Sequence, residues 1–317
     1  MHNIISAIYG ANDTYINVLP IIFNSINTTT ELYISNDIFG DPMPGVVKKL
    51  IIVHKNGTVY VFEENAIIKF DNDTSKLSIK YIKKYFITFG AGSINYIEAG
   101  NRLLRQATNL NLFDKTIFYT DMYLKTDKDF WDKHGTFIEN NKRGYGYWLW
   151  KPYLIKKTMD QMDNNDILVY LDCGCEIDIR KKELIHNYFE IVKKDCIIGS
   201  FTTIERDWNK MDLILELDMV NDKYLKTSQH EAGALMFLVC NRTRELVNQW
   251  YDIACNYHFI DDTASKNQNF PSFKEHRHDQ SIFSLLTKKY NLYSNRSIYP
   301  VIEYIRNTTG NSVLRNT

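Results

Sequence analysis

The fold is decided by residues 166–175, which read Asp-Ile-Leu-Val-Tyr-Leu-Asp-Cys-Gly-Cys. The run 167–171 is typical of a strand buried on both faces of a sheet. It ends abruptly in Asp172, which places a carboxylate at the sheet edge, where open α/β folds bind ligands. Such a carboxylate can hold a divalent cation that neutralises a diphosphate, and Gly174 would let the backbone approach the ligand. The alternative is that Asp172 simply begins a turn.

The segments around this strand alternate between strand and helix patterns. Strands are predicted at 85–89, 116–120, 196–201 and 234–239, and helices at 97–110, 152–162, 181–193, 243–257 and 280–290. Alternation of this kind predicts an α/β domain whose parallel or mixed sheet is covered by helices on both faces.

Residues 1–70 have a different pattern and predict a small all-β sandwich. Asn56-Gly57 joins two runs rich in β-branched and aromatic residues, 50–55 and 58–62. Such a dipeptide predicts a hairpin with a type I′ turn, in which both central residues have positive φ. No helix pattern of useful length is predicted here. Residues 71–75 are polar and typical of a linker, so we expect two domains, 1–75 and 76–317.

Composition excludes several classes of protein. Lys plus Arg equals Asp plus Glu at 38 each, which disfavours a nucleic-acid-binding protein because such proteins usually carry excess positive charge. The five cysteines show no paired framework, and we expect reduced thiols. Residues 1–11 lack the features of a secretory signal, and no apolar run is long enough to span a membrane. We therefore expect a cytoplasmic protein.

Residues 143–152 read Arg-Gly-Tyr-Gly-Tyr-Trp-Leu-Trp-Lys-Pro and precede a predicted helix. Free N–H groups at a helix N-terminus suit phosphate, and Arg143 and Lys151 add positive charge. Tyr147 and Trp150 offer stacking surfaces. The alternative is that the aromatic residues only fill the core.

Three further positions are candidates for binding or chemistry. The loop that begins at Thr88-Phe89 and continues through two glycines could accept a nucleoside. Glu231 precedes an apolar strand and could shape a sugar pocket, or be an ordinary loop carboxylate. His278 could be a ligand or an acid–base group. Asp279 could be a functional carboxylate or the N-cap of the next helix.

Four of these segments together resemble glycosyltransferases of giant DNA viruses and bacteria that have the nucleotide-diphospho-sugar (GT-A) fold. The segments are 143–152, 170–175, 231–233 and 277–281, and the resemblance covers about residues 85–290. It implies a GT-A-like mixed sheet flanked by helices. It also implies transfer of a sugar, as by a hexosyltransferase, from a nucleoside diphosphate sugar to a hydroxyl of a glycan or protein acceptor, with a UDP-sugar favoured.

The resemblance also implies roles for individual residues. The strand-end motif of such enzymes, commonly Asp-x-Asp, binds a divalent metal, Mn²⁺ or Mg²⁺. Here Gly174 replaces the second Asp, so Asp172 would need His278, Asp178 or water to complete a metal site. An Asp-Gln pair lies near the transferred sugar in a related group, and Asp279 begins such a pair, which points towards retention of stereochemistry. Binding of the nucleotide sugar is expected from Thr88, Phe89, Arg143, Tyr147, Trp150, Lys151, Asp172 and Gly174. Catalytic roles in orienting the acceptor or the sugar are expected from Glu231 and Asp279.

Two other functions compete with this hypothesis. A Rossmann-type S-adenosylmethionine-dependent methyltransferase would use the glycines at 90 and 92 and an acid, Asp121, at the end of the next strand. That glycine loop is incomplete. A non-catalytic carbohydrate-binding protein with a degenerate transferase domain would explain Gly174 in the acidic motif.

Overall fold

The computed structural model describes residues 3–71 and 76–314, and the chain divides into two compact units, Met1–Ile82 and Lys83–Thr317. The predicted linker at 71–75 falls almost wholly on residues 72–75, which lie outside the described residues. On either side of them, Asp71 and Lys76 pair in antiparallel strands of one sheet. The division therefore follows Ile82 instead of residue 75.

Unit 1 contains two small antiparallel sheets and a helix. Its strands are β1 (Ile4–Ala11), β2 (Thr14–Asn17), β3 (Glu31–Tyr33), β4 (Lys49–His54), β5 (Val59–Glu63), β6 (Ile67–Asp71) and β7 (Lys76–Ile79), ordered β2-β1-β4-β5 and β3-β6-β7. The predicted β4–β5 hairpin is confirmed. Its turn is not type I′, because Gly57 has a positive φ of 85° and Asn56 does not; Gly57 N–H donates to the carbonyl of His54 at 3.0 Å.

The prediction that unit 1 is all β was wrong. Helix α1 (Leu19–Thr28) buries Ile22 and Ile26, which lie one turn apart, against the core shared by both sheets. Pro20 suits its first turn, where the missing N–H has no helical partner. The β-branched and Asn-rich sequence of this helix obscured its pattern. A short helix, α2 (Asn36–Phe39), follows.

Unit 2 is built on a six-stranded mixed sheet within its described residues. The strands are β8 (Lys84–Gly90), β9 (Lys115–Thr120), β10 (Ile167–Leu171), β11 (Ile197–Gly199), β14 (Ala234–Leu238) and β15 (Tyr293–Ser297), in the order β15-β11-β14-β10-β8-β9. β14 runs antiparallel to β10 and β11, whereas the β10–β8, β8–β9 and β11–β15 pairs are parallel. A separate pair joins β12 (Phe201–Ile204) and β13 (Ser228–His230). The mixed sheet agrees with the prediction.

Helices flank this sheet. They are α3 (Ile94–Asn109), α4 (Asp121–Thr126), α5 (Lys128–Asn140), a turn α6 (Gly144–Tyr147), α7 (Trp150–Met159), α8 (Lys182–Asp195), α9 (Glu205–Trp208), α10 (Met211–Glu216), α11 (Asp222–Leu225), α12 (Asn241–Ala254) and α13 (His278–Tyr290), with 3-10 turns at Ile179–Lys181 and Tyr257–Phe259. The predicted long helices are present with shifted ends. α7 and α13 are buried along most of their length, because both lie inside the core. Each delivers a charged residue from its first turn to the sheet edge.

Candidate active site

The acidic loop after β10, residues 172–176, and the loop before β14, residues 231–233, meet at one edge of the sheet. They meet because β14 is antiparallel to β10, with Ala234 opposite Leu171. The N–H of Asp172 donates to the carbonyl of Gly233 at 2.7 Å. A Cβ on Gly233 would lie 2.8 Å from Asp172 Oδ2, so a larger residue at this position would have to displace the Asp172 side chain.

Lys151, Asp172 and Asp279 form a charged cluster at this edge, which we call the Lys151 cluster. Lys151 Nζ lies 3.4 Å from Asp172 Oδ1 and 3.2 Å from Asp279 Oδ2. Lys151 and Asp279 are each 3% exposed, whereas the Asp172 side chain is 28% exposed. Tyr170, which sequence analysis had not selected, donates its hydroxyl to Asp172 Oδ1 at 2.5 Å. The predicted meeting of residues 143–152 with the strand-end acid is therefore present at Lys151.

The electrostatics of the cluster are governed by burial and by the mutual charges. Burial alone would lower the pKa of Lys151, but Asp172 and Asp279 outweigh it and raise that pKa above its ordinary value. Burial raises the pKa of Asp279 to about 6, with the charge of Asp172 adding to the effect and Lys151 opposing it. Oδ2 of Asp279 meets the ammonium outside hydrogen-bond geometry and has no hydrogen-bond partner among the described residues. The cluster thus keeps unused hydrogen-bonding capacity.

The backbone leading to Lys151 forms a left-handed turn over residues 144–148. All five residues have positive φ, from 53° at Tyr145 and Tyr147 to 84° at Gly146. The N–H groups of Tyr147 and Trp148 donate to carbonyls four residues earlier, so this is one turn of left-handed helix. Each non-glycine residue in that conformation costs about 1–2 kcal/mol. Strain of this kind persists only when the surroundings fix it, and it concentrates at functional sites.

The two glycines of this turn and its neighbours explain how it is held. A Cβ on Gly146 would lie 2.6 Å from Ile138 Cγ1, and one on Gly144 would collide with the indole of Trp148. His278, itself at φ 55°, stacks on Trp148 with ring centroids 5.3 Å apart. Two strained segments therefore support each other, and they directly precede Lys151 and Asp279.

Three residues predicted to bind a nucleoside lie in the core instead. Thr88 is fully buried and its hydroxyl donates to the carbonyl of Leu171 at 2.8 Å, which ties β8 to β10. Phe89 and Trp150 stack on each other with centroids 3.9 Å apart, and the Trp150 indole N–H donates to the carbonyl of Gly144. Their ring faces and polar atoms are used internally. Tyr147 is also buried and packs on His278. These contacts indicate structural roles.

Arg143 and Gly174 also differ from the prediction. The Arg143 side chain is about half exposed and forms ion pairs with Asp262 at 3.0 Å and with Glu275. These pairs tie it to the loop before α13. The carbonyl of Gly174 accepts a hydrogen bond from the N–H of Asn307 at 2.8 Å. Its backbone therefore meets a later part of the chain at the point predicted to approach a ligand.

The predicted metal pair, Asp172 and His278, stays a prediction, and each of the two side chains has other contacts in this structure. His278 Nδ1 lies 2.6 Å from the carbonyl of Ile260 and Nε2 lies 3.9 Å from Asp262 Oδ1, whereas Asp172 contacts Lys151 and Tyr170. Across residues 3–71 and 76–314, no three His, Cys, Asp or Glu side chains are grouped so that they could hold a metal ion. His278 also stacks on Trp148 of the left-handed turn.

Another buried carboxylate of unit 2, Asp212, lies at an open depression of about 390 Å³ that His258 and Lys266 also line. Asp212 accepts hydrogen bonds from the N–H groups of Lys266 at 2.6 Å and Asn267 at 2.9 Å, and contacts His258 Nε2 at 2.6 Å. Burial alone would raise the pKa of Asp212, but the hydrogen bonds, that of His258 foremost, hold it well below its ordinary value. This carboxylate is fully used in fastening a loop.

No protein-family model and no curated protein matches the chain. Among solved structures, the chain is similar to the crystal structure of mouse xyloside xylosyltransferase 1 in its apo form. The identity is 12% and the TM-score 0.38, over 67% of this chain and 84% of that one. No helix in the described residues is long and apolar enough to cross a membrane.

Proposed function

We propose that this protein transfers a sugar from a nucleoside diphosphate sugar, with UDP favoured as the nucleotide, to a hydroxyl of a glycan or protein acceptor. The observation that carries the proposal is the buried ammonium of Lys151 between Asp172 and Asp279. The cluster lies at the sheet edge where open α/β folds bind ligands. The reversed strand β14 in a largely parallel sheet is compatible with the GT-A-like arrangement that the sequence resemblance implies.

The chemistry of glycosyl transfer matches the charges of the cluster. The bond between the anomeric carbon and a diphosphate oxygen breaks, and a bond from that carbon to the acceptor oxygen forms. Negative charge grows on the departing diphosphate, and a fixed positive group that meets this charge lowers the barrier. Lys151 supplies such a charge without reorganisation, because two carboxylates already hold it in place.

The hydroxyl proton of the acceptor must pass to a base as the new bond forms. Glu231 is our candidate, because burial raises its pKa above the ordinary value, although bonds from Tyr299 and Ser200 oppose this effect. A base is most effective when its pKa approaches the pH at which it works. Asp279, whose carboxylate contacts Lys151, orients that ammonium and the donor sugar.

The residues at the cluster fit a divalent metal poorly. The ammonium of Lys151 already lies between the carboxylates of Asp172 and Asp279 and repels a second cation. The predicted Mn²⁺ or Mg²⁺ therefore stays a prediction, and no step above depends on it. If bound, such an ion would neutralise charge on the diphosphate.

Calorimetric titration with a panel of UDP- and GDP-sugars, with Mn²⁺ or with EDTA, tests the proposal. We expect a UDP-sugar to bind and to be hydrolysed slowly at its anomeric carbon. Lys151→Met should strongly weaken this binding. The matched control is Lys156→Met on the same helix, whose ammonium pairs with Asp160 at the surface.

Three outcomes would contradict the proposal or one of its parts. Absence of both binding and hydrolysis across the panel would remove the transferase. Stabilisation by S-adenosylmethionine but not by UDP in a thermal shift assay would favour the methyltransferase. Tight UDP binding that never leads to turnover, and that persists in Asp172→Ala, would favour a non-catalytic carbohydrate-binding protein.

A further inference from the structure

A stretch late in the chain, residues 299–314, lies across the acidic loop; we call it the C-terminal segment. Glu303 and Glu176 exchange backbone hydrogen bonds of 2.9 and 2.8 Å, and Asn307 N–H donates to the carbonyl of Gly174 at 2.8 Å. A Cβ on Gly174 would lie 3.1 Å from Arg306 Cα. The segment therefore forms one wall of the sheet edge that carries Asp172.

A buried arginine fixes this wall. The side chain of Arg102 is only 2% exposed. Its guanidinium donates to the carbonyls of Cys173 and Cys175, both at 2.9 Å, and to those of Asn307 at 3.0 Å and Thr309 at 2.5 Å. One side chain thus joins the acidic loop to the C-terminal segment.

Glu176 is the counter-charge to Arg102, with 4.0 Å between Arg102 Nε and Glu176 Oε1. Fully buried, Glu176 accepts hydrogen bonds from Asn307 Nδ2 at 2.6 Å, from Val313 N–H at 3.0 Å and from the hydroxyl of Ser312. Further hydrogen bonds make such a buried ion pair tolerable, and here they involve both terminal nitrogens of Arg102 and both oxygens of Glu176. The C-terminal segment is consequently held in a defined position.

The clamped segment brings two tyrosines to the carboxylates of the site. The hydroxyl of Tyr299 donates to Glu231. Tyr304 Oη and Asp172 Oδ2 lie 2.6 and 2.8 Å from the point that a Gly233 Cβ would occupy, so the two oxygens are near neighbours. The tyrosine rings lie 5.9 Å apart at 33°, and Tyr299 is 36% exposed. An aromatic surface beside two carboxylates is thereby formed.

This combination has a clear chemical preference. Aromatic faces pack on the apolar C–H face of a pyranose, and carboxylates accept hydrogen bonds from its hydroxyls; binding sites commonly combine apolar walls with a few placed polar groups. Charge supports the same conclusion: the charge of Asp172, followed by burial, raises the pKa of Tyr304, so its phenol stays neutral and able to donate. Arg306, exposed at φ 52°, prevents the surface from being uniformly acidic.

We propose that Tyr299, Tyr304 and Glu231 form the acceptor subsite and that the acceptor is a carbohydrate. The inference rests on the proposed function and narrows its acceptor to a pyranose. A sugar hydroxyl replaces the Tyr299 hydroxyl at Glu231, attacks the anomeric carbon of the donor and gives its proton to Glu231 as the bond to the diphosphate breaks.

Saturation-transfer NMR with methyl gluco-, galacto-, manno- and xylopyranosides tests the subsite without any donor. We expect at least one glycoside to bind the wild-type protein, and Tyr299→Ala and Tyr304→Ala each to weaken it about tenfold, equivalent to about 1.4 kcal/mol. Tyr299→Phe keeps the ring and should retain most of the binding. Tyr15→Ala, at a tyrosine of similar exposure in unit 1, is the control. Circular dichroism verifies that each variant is folded.

UDP titration of the same variants separates the acceptor subsite from the donor site. Unchanged UDP affinity with weakened glycoside binding supports the subsite. Three results would each overturn the subsite. The first is an equal loss of affinity for UDP and for the glycoside, and the second is unchanged glycoside binding in Tyr299→Ala and Tyr304→Ala. The third is transfer to a serine-containing peptide but to no glycoside. Glycoside binding that depends on Tyr299 in a protein that binds no nucleotide would sustain the subsite while refuting the transferase.

Discussion

The Lys151 cluster and the Asp212 depression are both built around a buried carboxylate of unit 2, yet their protonation behaviour is opposite. Asp212 accepts several hydrogen bonds and its pKa falls. Asp279 has one oxygen without a hydrogen bond and its pKa rises to about 6. A fully bonded carboxylate has no capacity left for a ligand, whereas an incompletely bonded one is where function concentrates. Bonding, more than the size of the depression, distinguishes the two places.

Removal of the lysine charge should have the largest effect. Lys151→Met leaves Asp172 and Asp279 facing each other without a cation, and breaking a buried pair in this way costs about 3–5 kcal/mol. We expect loss of donor turnover by about 10²–10³-fold, the range for removal of one fixed electrostatic group. Urea denaturation and donor hydrolysis measure the two effects. Unchanged turnover in the folded variant would show that the cluster is only structural.

Asp212→Asn should lower stability and leave function intact. The amide keeps one acceptor oxygen but turns an NH₂ group towards N–H donors, and an unsatisfied buried donor costs about 1–3 kcal/mol. Turnover per folded molecule should match the wild type. Reduced donor affinity in this variant would remove the distinction between the two carboxylates.

Gly146→Ala tests whether the strained turn belongs functionally to the Lys151 cluster. The methyl group would meet Ile138 at 2.6 Å, in a conformation with φ 84° that disfavours any side chain. We expect a loss of about 1–2 kcal/mol in the free energy of unfolding together with weaker donor binding, because the turn positions Lys151. Gly45→Ala in unit 1, at φ 79° with open space around it, controls for backbone strain alone. Weaker donor binding in Gly45→Ala as well would show that the effect of Gly146→Ala does not come from the position of Lys151.

The pH dependence of the free energy of unfolding, measured by acid titration in EDTA, should show the smallest of these effects. The pKa of Asp279 is higher in the folded state than in the unfolded state. As the pH falls from 7 to 5, the folded protein therefore takes up a proton that the unfolded chain does not, and the destabilising charge of buried Asp279 is removed. Relative to Asp279→Asn, the wild type should therefore gain about 1 kcal/mol over that interval. The pKa of Asp212 is depressed, so its stabilisation is lost only in stronger acid. An equal slope in wild type and in Asp279→Asn from pH 7 to 5 would contradict the assignment.

Local patterns predicted much of the fold because they report on nearby residues. The buried strand β10, its terminal acid and the long helices of unit 2 follow from periodicity, and the nearness of Lys151 to Asp172 follows from where strands and helices end. The burial of Thr88 and Phe89 depends on neighbours far along the chain. Helix α1 was not predicted because its β-branched residues are less typical of helices than of strands.

The left-handed turn and the hydrogen bonds of Arg102 could not be predicted from the sequence, and the reasons are physical. Glycine at 144 and 146 permits positive φ but does not require it, and Tyr145 gives no local sign of that conformation. Arg102 finds its partners up to 207 positions later. No short-range pattern identifies the carbonyls of Asn307 and Thr309 as its acceptors.

The contacts of Arg102 and Glu176 with the C-terminal segment also bear on the order in which parts of the protein can form. The carboxylate of Glu176 accepts a hydrogen bond from Val313, 137 positions further along the chain. During synthesis this bond can form only after all strands of the central sheet have been made. Closure of so long a loop is slow compared with local folding. The contacts that complete the acidic loop can therefore form only after Asn307 and Val313 have been synthesised.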